Sequence, residues 1–368
     1  MNRAGKKVLK PVIAVICIMA IFSVYICWET PVAVPKFRKT LDQTMDQNYI
    51  YLSEDNYSKE MKESVVPYLE QYMTDGYIEN DGLRLYYRTY ITGNSERAIA
   101  ISHGFTDYAD KFQETIYYFL LMGFDVYILE HRGHGNSGRE IKDPSLVYVQ
   151  DFNDYVEDYK VFLDEIVLEM NEDQPLYLFA HSMGGGIGTA FLERYPGYFD
   201  AAILSTPMVD VKTGSVPEKA ANIIASIMSS LGLGKKYVTG QTTYCADYDY
   251  ASSSAKSESR YAYYHEIEAG NERYQLSASS YEWLNEALDA THEIIKADQL
   301  AKIKIPVLLF QAEEDFYIDD AGIYKLANRL SNVEFIYCPG TRHVLFMAEN
   351  DTMIPYFNTI FEFLDQQQ

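Results

Sequence analysis

Residues 175–186 read PLYLFAHSMGGG. A short apolar run ends on a small polar residue and passes directly into glycines. This is what a buried strand turning sharply into a helix requires, because the backbone passes close to itself on both sides of the turn. Ser182 sits at the turn, where its hydroxyl projects above the end of the strand. Gly184 fills the small position that follows it, and Ala180 the one that precedes it. A helix-capping serine is the simpler alternative, but a cap needs neither the paired small residues nor His181.

The same grammar repeats on either side. GYIENDGLRLYYRTYI (76–91) predicts two strands joined at Asn80-Asp81-Gly82. AIAISHGF (98–105) is a short strand that stops at His103-Gly104, and KFQETIYYFLLMGF (111–124) carries helical periodicity closing on Gly123. DVYILEHRGHGNSG (125–138) is a strand followed by a glycine-rich loop. DFNDYVEDYKVFLDEIVLEM (151–170) is an amphipathic helix with Val156, Tyr159, Phe162, Leu163 and Ile166 on one side. GIGTAFLERYP is a helix ended by Pro196, and AAILSTPM (201–208) is again a strand. After a break the pattern resumes with IPVLLFQAEED (305–315), a helix through GIYKLANRL, VEFIYCPG (333–340) and a last helix around MIPYFNTIFEFL. Short apolar strands alternating with helices imply βαβ units, so the fold class is α/β, with a mostly parallel sheet covered by helices on both faces. The break, 211–300, is rich in Ser, Tyr and Ala. It predicts helices at 217–231 and 281–297 around the polar stretch CADYDYASSSAKSESR (245–260), and is an inserted, largely helical cap placed after a strand end. The expected division is 76–210 with 301–368 as the core, 211–300 as the cap, 30–75 as a stalk and packing helix, and 1–29 as a membrane anchor or signal segment.

A serine hydroxyl is a weak nucleophile and needs a base with an acid to orient it. QAEED supplies acids 133 residues beyond Ser182, and CPGTRH supplies His343 a further 28 residues on. The chain order serine, acid, histidine is the one an α/β sheet with such an elbow demands. Asp315 is the expected acid, with Glu313, Glu314 and Asp319 as rivals. The oxyanion formed by attack needs two backbone N–H donors. Met183, directly after the serine, and Phe105, in the loop opening with His103-Gly104, are the expected pair. His103 is read as shaping that loop, and His131, Arg132 and His134 as bonding neighbouring loops. The glycines of HRGHGNSG lack the GK[ST] of a phosphate loop, and no GxGxxG follows the first strand.

HGFTDYADKF, GFDVYILEHRGHGNSG, HSMGG, QAEED and the final GTRH together resemble the lysophospholipase and monoacylglycerol lipase group of α/β-hydrolases, over roughly residues 76–365. That resemblance implies Ser182 as nucleophile, Asp315 and His343 as its acid and base, and the amides of Phe105 and Met183 as the oxyanion hole. Glu130 stands where the group usually has aspartate, and Ala180 where glycine is usual. The implied activity is hydrolysis of carboxylic esters of lipids, lysophospholipid or monoacylglycerol foremost, with no cofactor and no metal. Short-chain carboxylesterase, serine aminopeptidase and a non-catalytic surface binding module are the alternatives. Ile223, Ile224, Ile227 and Met228 are expected to line an acyl tunnel, with ordinary core packing as the other reading of their stripe.

The chain of 368 residues carries a formal charge of −22 and 33 tyrosines. So acidic a surface repels nucleic acid at long range, which argues against a DNA or RNA partner. No obligate protein partner is implied; the expected partners are the lipid or small ester substrate and a membrane. MNRAGKKVLK precedes eighteen uncharged residues, PVIAVICIMAIFSVYICW (11–28). Basic flank and apolar length predict a retained single-pass anchor in the cell membrane with the catalytic domain outside the cytoplasm; a cleaved signal, giving a secreted protein, and a buried core helix are the alternatives. Outside that run only Cys245 and Cys338 remain, which an oxidising compartment would allow to pair. No CxxC or HExxH spacing is present.

Overall fold

The computed structural model describes residues 31–43, 50–171 and 174–367. In chain order its strands are β1 (Lys39–Thr40), β2 (Met73–Asn80), β3 (Leu83–Tyr90), β4 (Arg97–Ser102), β5 (Phe124–Leu129) and β6 (Leu146–Val147). They continue with β7 (Leu176–His181), β8 (Ala201–Ser205), β9 (Ala278–Ser279), β10 (Val307–Glu314) and β11 (Val333–Arg342). The longer helices are α1 (Gln113–Leu121), α2 (Asn153–Phe162), α3 (Met183–Arg194), α4 (Glu218–Met228), α5 (Glu258–Gly270), α6 (Tyr281–Ile294), α7 (Asp320–Arg329) and α8 (Asn350–Asp365).

Nine strands form one sheet in the order β1-β11-β10-β8-β7-β4-β5-β3-β2. The hairpin β2–β3 is antiparallel and pairs antiparallel with β5; the other neighbours are parallel. Its two-residue turn has both Asp81 and Gly82 at positive φ (48° and 75°), the mirror-image geometry that suits the strand twist. The inner strands are buried on both faces, which explains their unbroken apolar runs. Side chains alternate between two cores. In β7, Tyr177 and Phe179 enter one with Ile203, Phe310 and Phe357, while Leu176, Leu178 and Ala180 enter the other with Ile187, Leu204 and Leu309.

The strand order reverses at β4: β5 lies on one side of it and β7 on the other. Such a switch point opens a crevice beyond the carboxyl ends of the two strands. The loop 103–107 leaves β4 there, and Ser182 leaves β7.

Three features bear on the open expectations. Residues 39–40 pair with Ile336 and Tyr337 of β11, and Leu41 is buried, so the chain before the helical run 57–70 is tied to the sheet edge and is not a free stalk. The polar stretch after 245 leads into α5, whose Arg260 is fully buried against α1. Cys245 is exposed on the surface and Cys338 is buried inside β11, and both are free thiols. The single-pass anchor and the cell-membrane placement are corrected. No helix among the described residues is long and apolar enough to cross a membrane, and the run 11–28 itself lies outside the described residues.

The segment 211–300 is fastened to the core at several points. β6 pairs in parallel with β9. Arg260 forms a two-pronged ion pair with Glu114 of α1, at 2.9 and 2.7 Å, and the same carboxylate accepts the hydroxyls of Tyr57 and Tyr118. Arg260 also donates to the carbonyl of Ala348 and the side chain of Asn350. Each nitrogen of the guanidinium thereby has a partner, as a buried cation needs.

Candidate active site

The elbow after β7 is visibly strained. Ser182 adopts φ 52°, ψ −120°, a region that costs a non-glycine residue about 1–3 kcal/mol and persists only where neighbours enforce it. Enforcement comes from both chain directions: the Ser182 amide donates to Ser205 O at 3.1 Å, and its carbonyl accepts from Met208 and from Gly186 of α3. Gly184 is obligatory by contact. A Cβ there would lie 2.1 Å from the carbonyl oxygen of Ser102 and 2.5 Å from that of His103. Ala180 is held small by the approach of α3, since a Cβ on Gly188 would stand 3.1 Å from its own.

His343 Nε2 lies 2.7 Å from Ser182 Oγ, and His343 Nδ1 lies 2.7 Å from Asp315 Oδ2. A carboxylate only accepts, so Nδ1 carries the proton and the Nε2 lone pair faces the serine hydroxyl, which donates to it. Three groups from three strand ends are thus joined in one line. All are secluded, with Ser182 8%, His343 4% and Asp315 9% exposed. The other Asp315 oxygen accepts the amides of Tyr317 and Ile318 at 2.8 and 3.0 Å. Burial alone would raise the Asp315 carboxyl; the charge and hydrogen bond of His343 and those two amides outweigh it and hold the group below its ordinary value. The backbone of His343 is held by Thr206, whose hydroxyl donates to the His343 carbonyl at 3.0 Å. His181 packs beside it at 5.0 Å between ring centroids; burial, then the neighbouring His343, push His181 down to about 3, so it stays neutral.

The rival acids are engaged elsewhere. Glu313 accepts the Gly340 amide, Glu314 pairs with Lys256, and Asp319 caps α7 through the Ala321 amide.

Met183 is the first residue of α3, so its N–H has no acceptor within the helix. Among the described residues the Phe105 amide donates to no protein acceptor. Its loop touches the serine: a Cβ on Gly104 would lie 3.0 Å from Ser182 Cβ. His103 Nδ1 donates to Gly104 O at 2.9 Å, while its Nε2 accepts the His131 amide. Both nitrogens are therefore committed to shaping the loop, and burial holds the ring down at about 4. Arg132 reaches Asp158 with two bonds of 2.6 and 2.7 Å and Asp154 with another, stapling the glycine-rich loop to α2. Glu130 accepts the Ala109 and Asn136 amides in a space that only Gly135 leaves open, and burial lifts it to about 7.

The segment 211–300 reaches the site at two points. Trp283 of α6 packs on the Phe105 ring at 4.3 Å, and Lys212 Nζ donates to Asp315 O at 2.7 Å. The tunnel expectation fails for two of its four residues: Ile223 and Ile227 are 46% and 41% exposed, while Ile224 and Met228 are half-buried. Helix α4 turns its small face, Ala221 and Ala225, inward instead, and α6 packs on that helix. Sequence reading also passed over Asp107, a buried carboxylate under the loop, and Tyr317, whose ring lies 5.1 Å from that of His343.

Comparison with known proteins agrees with this architecture. Residues 93–351 match the Hydrolase_4 family, described as serine aminopeptidase, S33. The chain is 31% identical over 225 residues to lysophospholipase L2 of Escherichia coli, covering 61% of this chain and 65% of that protein. It is 27% identical over 282 residues to human monoglyceride lipase, covering 73% and 82%. A soluble variant of monoglyceride lipase from Saccharomyces cerevisiae superposes with a TM-score of 0.64 at 18% identity, over 80% of this chain and 97% of that one. The chain therefore belongs to the serine aminopeptidase S33 family and carries the α/β-hydrolase fold.

Proposed function

We propose that the protein is a serine hydrolase of carboxylic esters of lipids, with lysophospholipid or monoacylglycerol as substrate. The observation that carries the reading is the unbroken line Ser182–His343–Asp315, two contacts of 2.7 Å at the carboxyl edge of the sheet. The substrate class is supported by the likeness to lysophospholipase L2 and monoglyceride lipase.

In this reading His343 takes the proton from Ser182 as Oγ attacks the ester carbonyl carbon, and Asp315 steadies the imidazolium. The Phe105 and Met183 amides hold the oxyanion. The tetrahedral intermediate collapses, and the alcohol leaves with the proton from His343. Water, deprotonated by the same imidazole, then attacks the acyl-enzyme; the fatty acid departs and Ser182 regains its proton. No metal or organic cofactor takes part. Residues 211–300 serve as the cap, reaching the site through Trp283 and Lys212. A net charge of −22 disfavours anionic headgroups, so neutral or zwitterionic lipids are the expected substrates.

The test is a panel of lysophosphatidylcholine, monoacylglycerol, a short p-nitrophenyl ester and an aminoacyl anilide, each with wild type and Ser182→Ala. Turnover of the two lipids that vanishes in the variant supports the reading. Preference for the anilide would replace it with a peptidase, and preference for the short ester with a carboxylesterase.

A further inference from the structure

We infer that Asp107 is a positioning residue for the oxyanion loop: its carboxylate, clamped by Lys111, holds the Gly104–Phe105 peptide against Ser182. This deepens the proposed function and rests on Phe105 N–H being an oxyanion donor.

The argument begins with the peptide itself. In a planar trans peptide the carbonyl and the N–H point in opposite directions. Gly104 O and Phe105 N–H belong to one such unit, so whatever holds the oxygen also aims the hydrogen. Gly104 O is held twice, by His103 Nδ1–H at 2.9 Å and by the Asp107 amide at 3.2 Å. The side chain of Asp107 closes the turn from the other end, its Oδ2 accepting the Gly104 amide at 2.9 Å. Between them Thr106 sits at φ 63°, an unfavourable value for a β-branched residue. The turn is therefore imposed by its hydrogen bonds and not by local preference.

There is no slack in it. A Cβ on Gly104 would stand 2.7 Å from Asp107 Oδ2 and 3.0 Å from Ser182 Cβ, so carboxylate, loop and serine are packed in series. The remaining oxygen, Oδ1, takes Lys111 Nζ at 2.6 Å, with the two side chains 3% and 14% exposed. A buried ion pair of this kind adds little net stability over apolar packing. What it adds is direction, since a charged acceptor with one oxygen anchored presents the other to a single amide. Lys111 also lies in the field of Glu268 on α5. Tyr108, beside Asp107, stacks on Tyr274 at 4.0 Å, so the clamp is braced by the segment 211–300.

The test uses the full chain with Asp107→Ala, Asp107→Asn and the neutral pair Asp107→Asn/Lys111→Met, assayed on p-nitrophenyl butyrate and against an alkylboronic acid that forms a tetrahedral adduct. Deleting a whole oxyanion donor costs about 10²–10³ in kcat. For Asp107→Ala, which loosens the donor, a fall of about 10–100-fold is expected, with KM within about twofold. Boronate affinity should fall by the same factor as kcat/KM. The neutral pair keeps a carbonyl oxygen for the Gly104 amide and should recover most of the loss. Wild-type kcat in folded Asp107→Ala would overturn the inference. So would losses that merely track the folded fraction, or failure of the neutral pair to fold, which would make the clamp part of the fold alone. Persistent turnover in Ser182→Ala would instead sink the nucleophile assignment, so the two failures are distinguishable.

Discussion

Replacing Gly184 with alanine adds one methyl group to the most crowded point of the elbow. That Cβ would lie 2.1 Å from Ser102 O, 2.4 Å from Ser102 C and 2.5 Å from His103 O. Ordinary carbon–oxygen contact begins at about 3.3 Å, so these atoms must retreat by about 1 Å. They are backbone, at the end of β4 and the start of the oxyanion loop, and cannot rotate away as a side chain would. Overpacking of this kind costs about 1–3 kcal/mol, a drop in Tm of roughly 1–4 °C for a chain of this size. Because the retreat carries Gly104 and Phe105 away from Ser182, activity falls too; a displacement of about 1 Å costs on the order of 10²-fold. Gly270→Ala is the control, since a Cβ there meets nothing within 4 Å. The assay pairs thermal melts with kcat/KM on a p-nitrophenyl ester. A Gly184→Ala variant with wild-type Tm and kcat/KM would refute the close-approach reasoning.

Asp315→Asn should lower kcat by about 10⁴-fold with Tm little changed, because an amide facing Nδ1 no longer fixes the proton there; kcat within tenfold of wild type would point to another acid. Arg260→Met leaves Glu114 buried without its cation, with an expected loss of about 3–5 kcal/mol in urea unfolding. A loss below about 1 kcal/mol would mean that the pair is not closed in solution. Stability should also fall on acidification. Burial pushes His103 down to about 4, His134 and His181 to about 3, and His131 well below its ordinary value. Each stays neutral in the fold while the unfolded chain takes up a proton below about pH 6.5, so its contribution is present above that pH and lost beneath it. Glu130 and Glu193, lifted by burial to about 7 and 8, act in the opposite sense. The four imidazoles make stability fall between about pH 6.5 and 4.5, opposed by these two carboxyls and by the others that burial raises, Glu140, Asp154, Asp158, Glu268 and Glu286. Urea midpoints at pH 7 and 5.5 measure the fall, and equal midpoints would contradict the neutral, buried histidines.

The core was legible because its signals are local. The strands are apolar runs bounded by turns, the hairpin is announced by Asn80-Asp81-Gly82, and Ser182 stands between small residues that a strand-to-helix turn needs. Asp315 was the expected acid, but what sets it apart from its rivals is geometry, since four acids fall within residues 313–319 and Asp315 is the one bonded to His343. Helix α5 was missed because its buried face is Arg260, Tyr263 and Tyr264, which carry no apolar periodicity; Arg260 belongs inside only because Glu114, far away in the chain, receives it. The stripe of α4 misled in the opposite direction, since Ala221 and Ala225 proved the packing face and two of the isoleucines the outer one. Asp107 did leave a signal. An aspartate three residues after Gly104 is an acceptor placed to close a turn on that amide.

The central claim is that the Ser182 hydroxyl is the reacting atom, activated by His343. Reaction with a fluorophosphonate followed by intact-mass measurement and peptide mapping tests it directly. One adduct per chain on the peptide containing Ser182, absent in Ser182→Ala and slowed by orders of magnitude in His343→Ala, is the predicted result. Stoichiometric labelling at any other residue, or undiminished labelling of the Ser182→Ala protein, would contradict it.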